Sequence, residues 1–202
     1  MTKIKLCGLT RPCEIQAVND LRPDYVGFVF YPKSRRCLTP KQAVKLRQLL
    51  DPDINAVGVF VDEPPEKIAV LLGGGVIDIA QLHGQEDTEY VMRLRELSDK
   101  PIIKAFCIGK PEDCLPAGDF PSEYLLLDSG MGSGVAFDWS AVAGVRRDYF
   151  LAGGLNPDNA AAAVRMLQPY GVDVSSGIET DGIKDLNKMA AFVAAVREED
   201  AK

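Results

Sequence analysis

The chain has 202 residues, 23 of them basic and 29 acidic, for a formal net charge of −6. Its 47% hydrophobic and 26% charged content suits a globular protein that buries a core, and excludes a disordered tail. The lack of basicity argues against a reader of long nucleic-acid stretches, and no apolar run approaches the ~20 residues of a membrane span. The opening MTKIKLCGLTRPCE meets charged residues at once and has no stretch suited to a secretory signal. Five cysteines (Cys7, Cys13, Cys37, Cys107, Cys114) match no CxxC or Cys/His ligand spacing, and His83 is the one histidine. Neither a disulfide framework nor a metal site is expected, and the cytoplasm is the expected compartment.

In chain order, Lys3–Cys7 is a short apolar run read as a strand. A helix follows over Pro12–Leu21, with Thr10 as its candidate cap. Tyr25–Phe30 is the second strand; Thr39 and Pro40 then supply an N-cap and a first-turn proline for a helix over Pro40–Leu50. Ala56–Val61 leads to a helix over Pro65–Leu72, and Ile77–Leu82 to one over Thr88–Leu97, where Val91, Leu94 and Leu97 share a face. The strands Pro101–Phe106 and Tyr124–Leu127 are followed by weaker segments around Glu112–Leu115 and Asp138–Val145. Tyr149–Ala152 precedes a helix over Pro157–Leu167, and Gly171–Val174 precedes one over Asp185–Val196.

Several of these runs are continuously apolar, as strands covered on both faces are. Strand and helix alternate without a linker or composition shift, which predicts a parallel sheet with helices outside. Eight units of about 25 residues leave room for one strand, one helix and two short loops each. The simplest architecture is a single-domain (β/α)8 TIM barrel over residues 1–202, near the lower length limit of that fold. A doubly wound open sheet is the alternative; it usually carries a Gly-rich turn where this chain has CGLT.

Barrel chemistry sits at the C-terminal ends of the strands. Those ends hold Cys7, Arg35 and Arg36, His83, Asp128, Gly153-Gly154, Asp173 and Ser175-Ser176-Gly177. The glycine- and serine-rich loops after the last two strands are expected to bind phosphate, because backbone N–H groups and helix N-termini favour anions; the same glycines also suit tight turns. Cys7 and Asp128, on different strands, can act as a base and an acid, or stand as a buried small hydrophobe and a turn-former. Lys5 shares a strand face with Cys7 and would favour the thiolate. An arginine at the mouth can clamp a carboxylate, and one of Arg35 and Arg36 is expected to be merely solvated. His83 reads equally as pocket lining or as a structural histidine. Lys104 reads as an ion-pair partner inside the barrel, with a Schiff-base nucleophile as the alternative. Trp139 is expected to anchor a short helix capped by Asp138.

KLCGLT at Lys5–Thr10, GFVFYPKSRR at Gly27–Arg36, QLHG at Gln81–Gly84 and LLLD at Leu125–Asp128 resemble, in order, the motifs of the phosphoribosylanthranilate isomerase family. GSGVAFDW at Gly132–Trp139, LAGGLNPDN at Leu151–Asn159 and VDVSSGIE at Val172–Glu179 continue the resemblance to the end of the chain. It implies a cofactor-free barrel enzyme of tryptophan biosynthesis, acting on a small phosphorylated substrate, as a monomer or homodimer, with no nucleic acid or membrane partner. The implied reaction is the Amadori rearrangement of N-(5-phosphoribosyl)anthranilate to 1-(2-carboxyphenylamino)-1-deoxy-D-ribulose 5-phosphate. By position, Asp128 resembles the general acid and Cys7 the general base. Arg36 falls where the anthranilate carboxylate is bound, Gly154, Ser176 and Gly177 fall in the phosphate loops, and Asp173 falls on a supporting aspartate. Met131 departs from the family's usual glycine in the loop after Asp128, which bears on loop closure. No indoleglycerol-phosphate synthase partner domain accompanies the barrel, so the resemblance implies one activity. Two rivals are an aldolase that uses Lys104 and a non-catalytic phosphate-binding module.

Overall fold

The apolar runs become eight parallel strands that close on themselves in sequence order. The computed structural model describes residues 1–128, 139–142 and 144–202. The strands are β1 (Lys3–Cys7), β2 (Tyr25–Val29), β3 (Asn55–Phe60), β4 (Ile79–Leu82), β5 (Ile102–Cys107), β6 (Tyr124–Asp128), β7 (Tyr149–Ala152) and β8 (Gly171–Val174). The helices between and after them are α1 (Pro12–Leu21), α2 (Pro40–Arg47), α3 (Pro65–Gly73), α4 (Thr88–Leu97), α5 (Ala160–Leu167) and α6 (Leu186–Asp200). The two weaker segments are 3-10 turns, Pro111–Ala117 and Trp139–Val142. A β9–β10 hairpin (Glu179–Thr180 and Ile183–Lys184) lies between β8 and α6. The barrel closes where β1 pairs with β8, Lys5 opposite Asp173, so the open-sheet alternative is excluded.

Strand parity divides the core in two. Ile4, Leu6, Val26, Phe28, Leu82 and Leu125 face outward and pack with the helices into the larger cluster. Tyr25, Val57, Ile79, Ile103, Leu126 and Phe150 face inward and fill the barrel. The floor is aromatic: the Tyr124 and Tyr170 rings stack at 4.9 Å, Phe150 meets Tyr25 edge-on at 5.3 Å, and the Tyr25 and Tyr170 hydroxyls are 3.0 Å apart. Gly171 admits Phe150, because a Cβ there would come within 2.7 Å of the ring. The hydrogen bond to Tyr170, with burial, pushes the Tyr124 phenol up to about 12.

Helix starts differ from expectation where a local competitor wins. Thr10 does not cap α1; Glu14 folds back to accept from the Thr10 and Arg11 N–H groups at 2.6 and 2.9 Å. Thr39 does cap α2, in a reciprocal box with Gln42. α5 begins at Ala160, not Pro157, because Asn156 and Asn159 accept each other's backbone N–H and hold residues 156–159 as a turn. Asp138 and Met131 lie outside the described residues. Trp139 opens its 3-10 turn and packs against the outer core.

Candidate active site

At the C-terminal ends of the strands a cavity of about 430 Å³ opens. Its walls bring together Arg35, Arg36, His83, Asp128, residues 152–155 and residues 173–176. Six positions expected from the sequence therefore meet in one place: Arg36, His83, Asp128, Gly154, Asp173 and Ser176. Cys7 and Gly177 lie outside this lining.

Cys7 ends β1 as a buried thiol. Its room comes from the neighbouring strand: Gly27 is its register partner, and a Cβ on Gly27 would sit 2.5 Å from Sγ. Two residues earlier, fully buried Lys5 places Nζ 2.8 Å from Asp173 Oδ1, and its charge also acts on the Cys7 thiol. Burial alone would push the Lys5 ammonium down, but Asp173 and Cys7 outweigh it, so Lys5 stays charged. Burial, reinforced by Asp173, pushes the Cys7 thiol up, and Lys5 and Lys184 offset only part of this. Lys5 thus neutralises Asp173 while its charge also acts on the Cys7 thiol. Its expected pull toward thiolate exists but does not prevail.

Arg36 does not wait with a free fork. Its Nε and Nη2 bind Glu179 Oε1 and Oε2 at 2.6 and 2.8 Å. Arg35 reaches Glu179 Oε2 at 2.9 Å, and buried Lys184 reaches Oε1 at 2.8 Å. Arg35 is therefore not simply solvated. Burial raises the Glu179 pKa, yet Arg36 and Lys184 more than reverse this and hold it at about 2. A carboxylate ligand at Arg36 must use the guanidinium edge that Glu179 leaves over. Sequence reading passed over Glu179 and Lys184, because their role arises only when the hairpin folds against a loop some 143 residues away. Gly8 serves the same assembly: its φ is +81°, and a Cβ would lie 2.4 Å from Arg36 Cδ.

Gly153 and Gly154 both have positive φ, 85° and 66°, so the backbone after β7 turns in a way side chains resist. Asn159 pins this turn by donating to the Gly154 carbonyl at 2.9 Å. Across from it, β8 runs into a 3-10 turn, Ser176–Ile178. Gly177 is the contact between the two loops: a Cβ there would lie 1.9 Å from the Leu155 carbonyl oxygen. Its observed job is close loop packing. The paired loops leave backbone amides and Ser176 beside the cavity, an arrangement suited to phosphate.

His83 follows β4, with Nε2 3.6 Å from Asp128 Oδ2 and Nδ1 3.0 Å from Gln81 Nε2. Burial lowers the imidazole pKa even though Asp128 opposes the shift. Lys104 is an ion-pair partner, but not inside the barrel. It shares the outward parity of Ile102, with Nζ 2.6 Å from Glu86 Oε2 and 2.8 Å from the Gly84 carbonyl. An amine so placed, away from the cavity, does not support the aldolase alternative. Among the described residues no group of three His, Cys, Asp or Glu side chains could hold a metal ion, and no helix is long and apolar enough to cross a membrane.

Comparison with known proteins agrees with this geometry. A sequence model of the N-(5'phosphoribosyl)anthranilate (PRA) isomerase family matches residues 4–195. The N-(5'-phosphoribosyl)anthranilate isomerase of Endomicrobium trichonymphae is 44% identical, the match covering 98% of this chain and 99% of the relative. A phosphoribosyl anthranilate isomerase solved with reduced 1-(o-carboxyphenylamino)-1-deoxyribulose 5-phosphate superposes with a TM-score of 0.88, at 35% identity over 98% of this chain and 100% of that one. Monomers generated from the dimeric enzyme of Thermotoga maritima give a TM-score of 0.87 at 35% identity, with the same coverage. The chain belongs to the N-(5'-phosphoribosyl)anthranilate isomerase family.

Proposed function

We propose that the cavity isomerises N-(5'-phosphoribosyl)anthranilate, with Asp128 as general acid and Cys7 as general base. The observation that carries this reading is the convergence of Asp128, Arg36 and the two glycine-bearing loops on one cavity, with the Cys7 thiol buried beside Asp173 next to it. The substrate phosphate is held by backbone amides of the loops after β7 and β8 and by Ser176. Its carboxylate takes the remaining edge of Arg36. The protein is acidic overall, so these local groups supply the attraction for a doubly anionic ligand.

Asp128 gives its proton to the ribose ring oxygen. The C1–O bond breaks, and the nitrogen lone pair forms the C=N bond of a protonated Schiff base. Cys7 thiolate then takes the C2 proton, and the C2–H electron pair forms the C1=C2 bond as the C=N pair returns to nitrogen. Tautomerisation of this enolamine places a proton on C1 and the carbonyl at C2. The thiolate forms beside the Lys5 ammonium, which stabilises it more than it does the neutral thiol. Asp173 keeps Lys5 oriented. No redox partner is consumed, so the reaction needs no cofactor.

All these groups come from one chain and one barrel, which supports treating residues 1–202 as a single domain whose site a monomer completes; a homodimer would add stability rather than catalytic groups. Five free thiols suit a reducing cytoplasm. The test is fluorescence decay of freshly prepared phosphoribosylanthranilate on adding the purified protein. Asp128→Asn and Cys7→Ala should each lower kcat by about 10²–10⁴-fold. Growth of an isomerase-deficient tryptophan auxotroph on Asp128→Ala would refute the acid role.

A further inference from the structure

One buried polar side chain near the site is not used by the mechanism above. Gln81 on β4 is 1% exposed, with Nε2 3.0 Å from His83 Nδ1 and Oε1 buried and, among the described residues, without a hydrogen-bond partner. The inverted amide would place Oε1 at the ring and leave the two-proton Nε2 without a partner instead. An unpaired carbonyl oxygen is tolerated more readily than an unpaired N–H donor, so Nε2 faces His83. An amide N–H at Nδ1 requires that nitrogen to carry a lone pair. A neutral ring then carries its one proton on Nε2, the atom 3.6 Å from Asp128 Oδ2. Burial lowers the imidazole pKa, which keeps the ring neutral. The His83 backbone N–H donates to Phe60 O at 2.8 Å, so the residue is fixed to β3 as well.

We propose that Gln81 is a positioning residue of the reaction: it locks His83 as the Nε2–H tautomer, and His83 directs that proton at Asp128. The inference rests on the reading of Asp128 as the acid. A neutral His83 does not compete for the proton that Asp128 gives to the ring oxygen. When Asp128 is left as a carboxylate, the His83 Nε2–H donates to it, and the 3.6 Å separation closes to a hydrogen bond. No proton leaves His83. A glutamate at position 81 would do the opposite, since a carboxylate accepts from Nδ1–H and turns the bare Nε2 toward Asp128. The amide is therefore the part of this side chain that matters.

His83 is the only histidine in the chain, so ¹⁵N NMR of the imidazole reports one ring without assignment. The neutral Nε2–H tautomer is expected in the wild-type protein at pH 7; an Nδ1–H tautomer or an imidazolium overturns the proposal. Gln81→Glu should move the ring to Nδ1–H or to the imidazolium, and lower kcat by roughly tenfold or more with KM nearly unchanged. Gln81→Met, similar in size and lacking the donor, should give a mixture of tautomers and a smaller fall in kcat. Wild-type kcat in Gln81→Met would also overturn the proposal. The wild-type spectrum decides the tautomer even if a variant folds poorly. Full activity in Asp128→Asn would instead remove the acid and leave the tautomer assignment standing, so the two failures are distinguishable.

Discussion

The two ends of the barrel are built on opposite principles. The floor is a plug of Tyr25, Tyr124, Phe150 and Tyr170, in which rings meet at 4.9–6.0 Å and buried apolar area supplies the stability. The mouth is made of charges and of glycines that bring backbone close, with Lys5–Asp173 and the Glu179 cluster as its buried ion pairs. Buried ion pairs contribute little net stability compared with apolar packing, because desolvation offsets attraction. Their value at the mouth is direction: they fix the orientation of Arg36 and Asp173, which line the cavity. The same fold thus keeps stability and chemistry on separate layers of one set of strands.

Mutations can break this division or sharpen it. The largest effect on stability is expected at the floor, where Phe150→Ala should cost about 3–5 kcal/mol in denaturant unfolding. It should leave kcat per folded molecule unchanged; a parallel loss of kcat would show that the layers are coupled. Glu179→Gln is the case where a mouth residue carries stability, since it leaves cations facing a neutral amide, at a cost of about 3 kcal/mol. Glu179 is held at about 2, below its ordinary value near 4.5. Its contribution is therefore present above about pH 4.5 and is lost as pH falls toward 2, so the variant's stability should change less with acid over that window. Next in size is a rate effect. Burial holds the Cys7 thiol above the ordinary thiol range, so the thiolate is scarce at neutral pH. Asp128 must be protonated and Cys7 ionised in the same molecule, so in the wild type the two requirements pull kcat/KM in opposite directions as pH rises. In Asp128→Asn, where the acid no longer titrates, the residual kcat/KM should rise with pH until the thiol ionises, and a flat profile from pH 7 to 9 in that variant would exclude Cys7 as the base. The smallest effect is Tyr170→Phe, which removes the hydroxyl contact to Tyr25 and should cost about 1 kcal/mol without changing the pH profile.

What could be read from the residues follows the same division. Strands at the floor and through the core are apolar runs, and β1, β7 and β8 match their expected bounds. Local capping is legible at Thr39 because the Thr39-Pro40 signal is local; at α1 the Glu14 carboxylate folds back onto the Thr10 and Arg11 N–H groups instead, and α5 starts later than expected because Asn156 and Asn159 hold residues 156–159 as a turn. Strand-end position brought Arg36, His83, Asp128 and Asp173 into one expected site. It did not show that Arg36 is already bound, that Lys104 points outward, or that at Gly177 two loops approach so closely that no Cβ fits. Those facts depend on which distant segment packs alongside, and no local pattern encodes it. Gln81 was quoted only as part of a motif, because its role needs the ring two residues on and the carboxylate on another strand.

The Lys5–Asp173 pair also bears on the order of assembly. β1 leaves the ribosome first and β8 last, and these partners stand 168 positions apart. A partly synthesised barrel that tried to close without β8 would have to bury the Lys5 ammonium with no counter-ion, which is strongly unfavourable. Premature closure is thereby penalised. The interior charge favours completion of the ring as a single event, with the Cys7 thiol enclosed only when the final strand is in place.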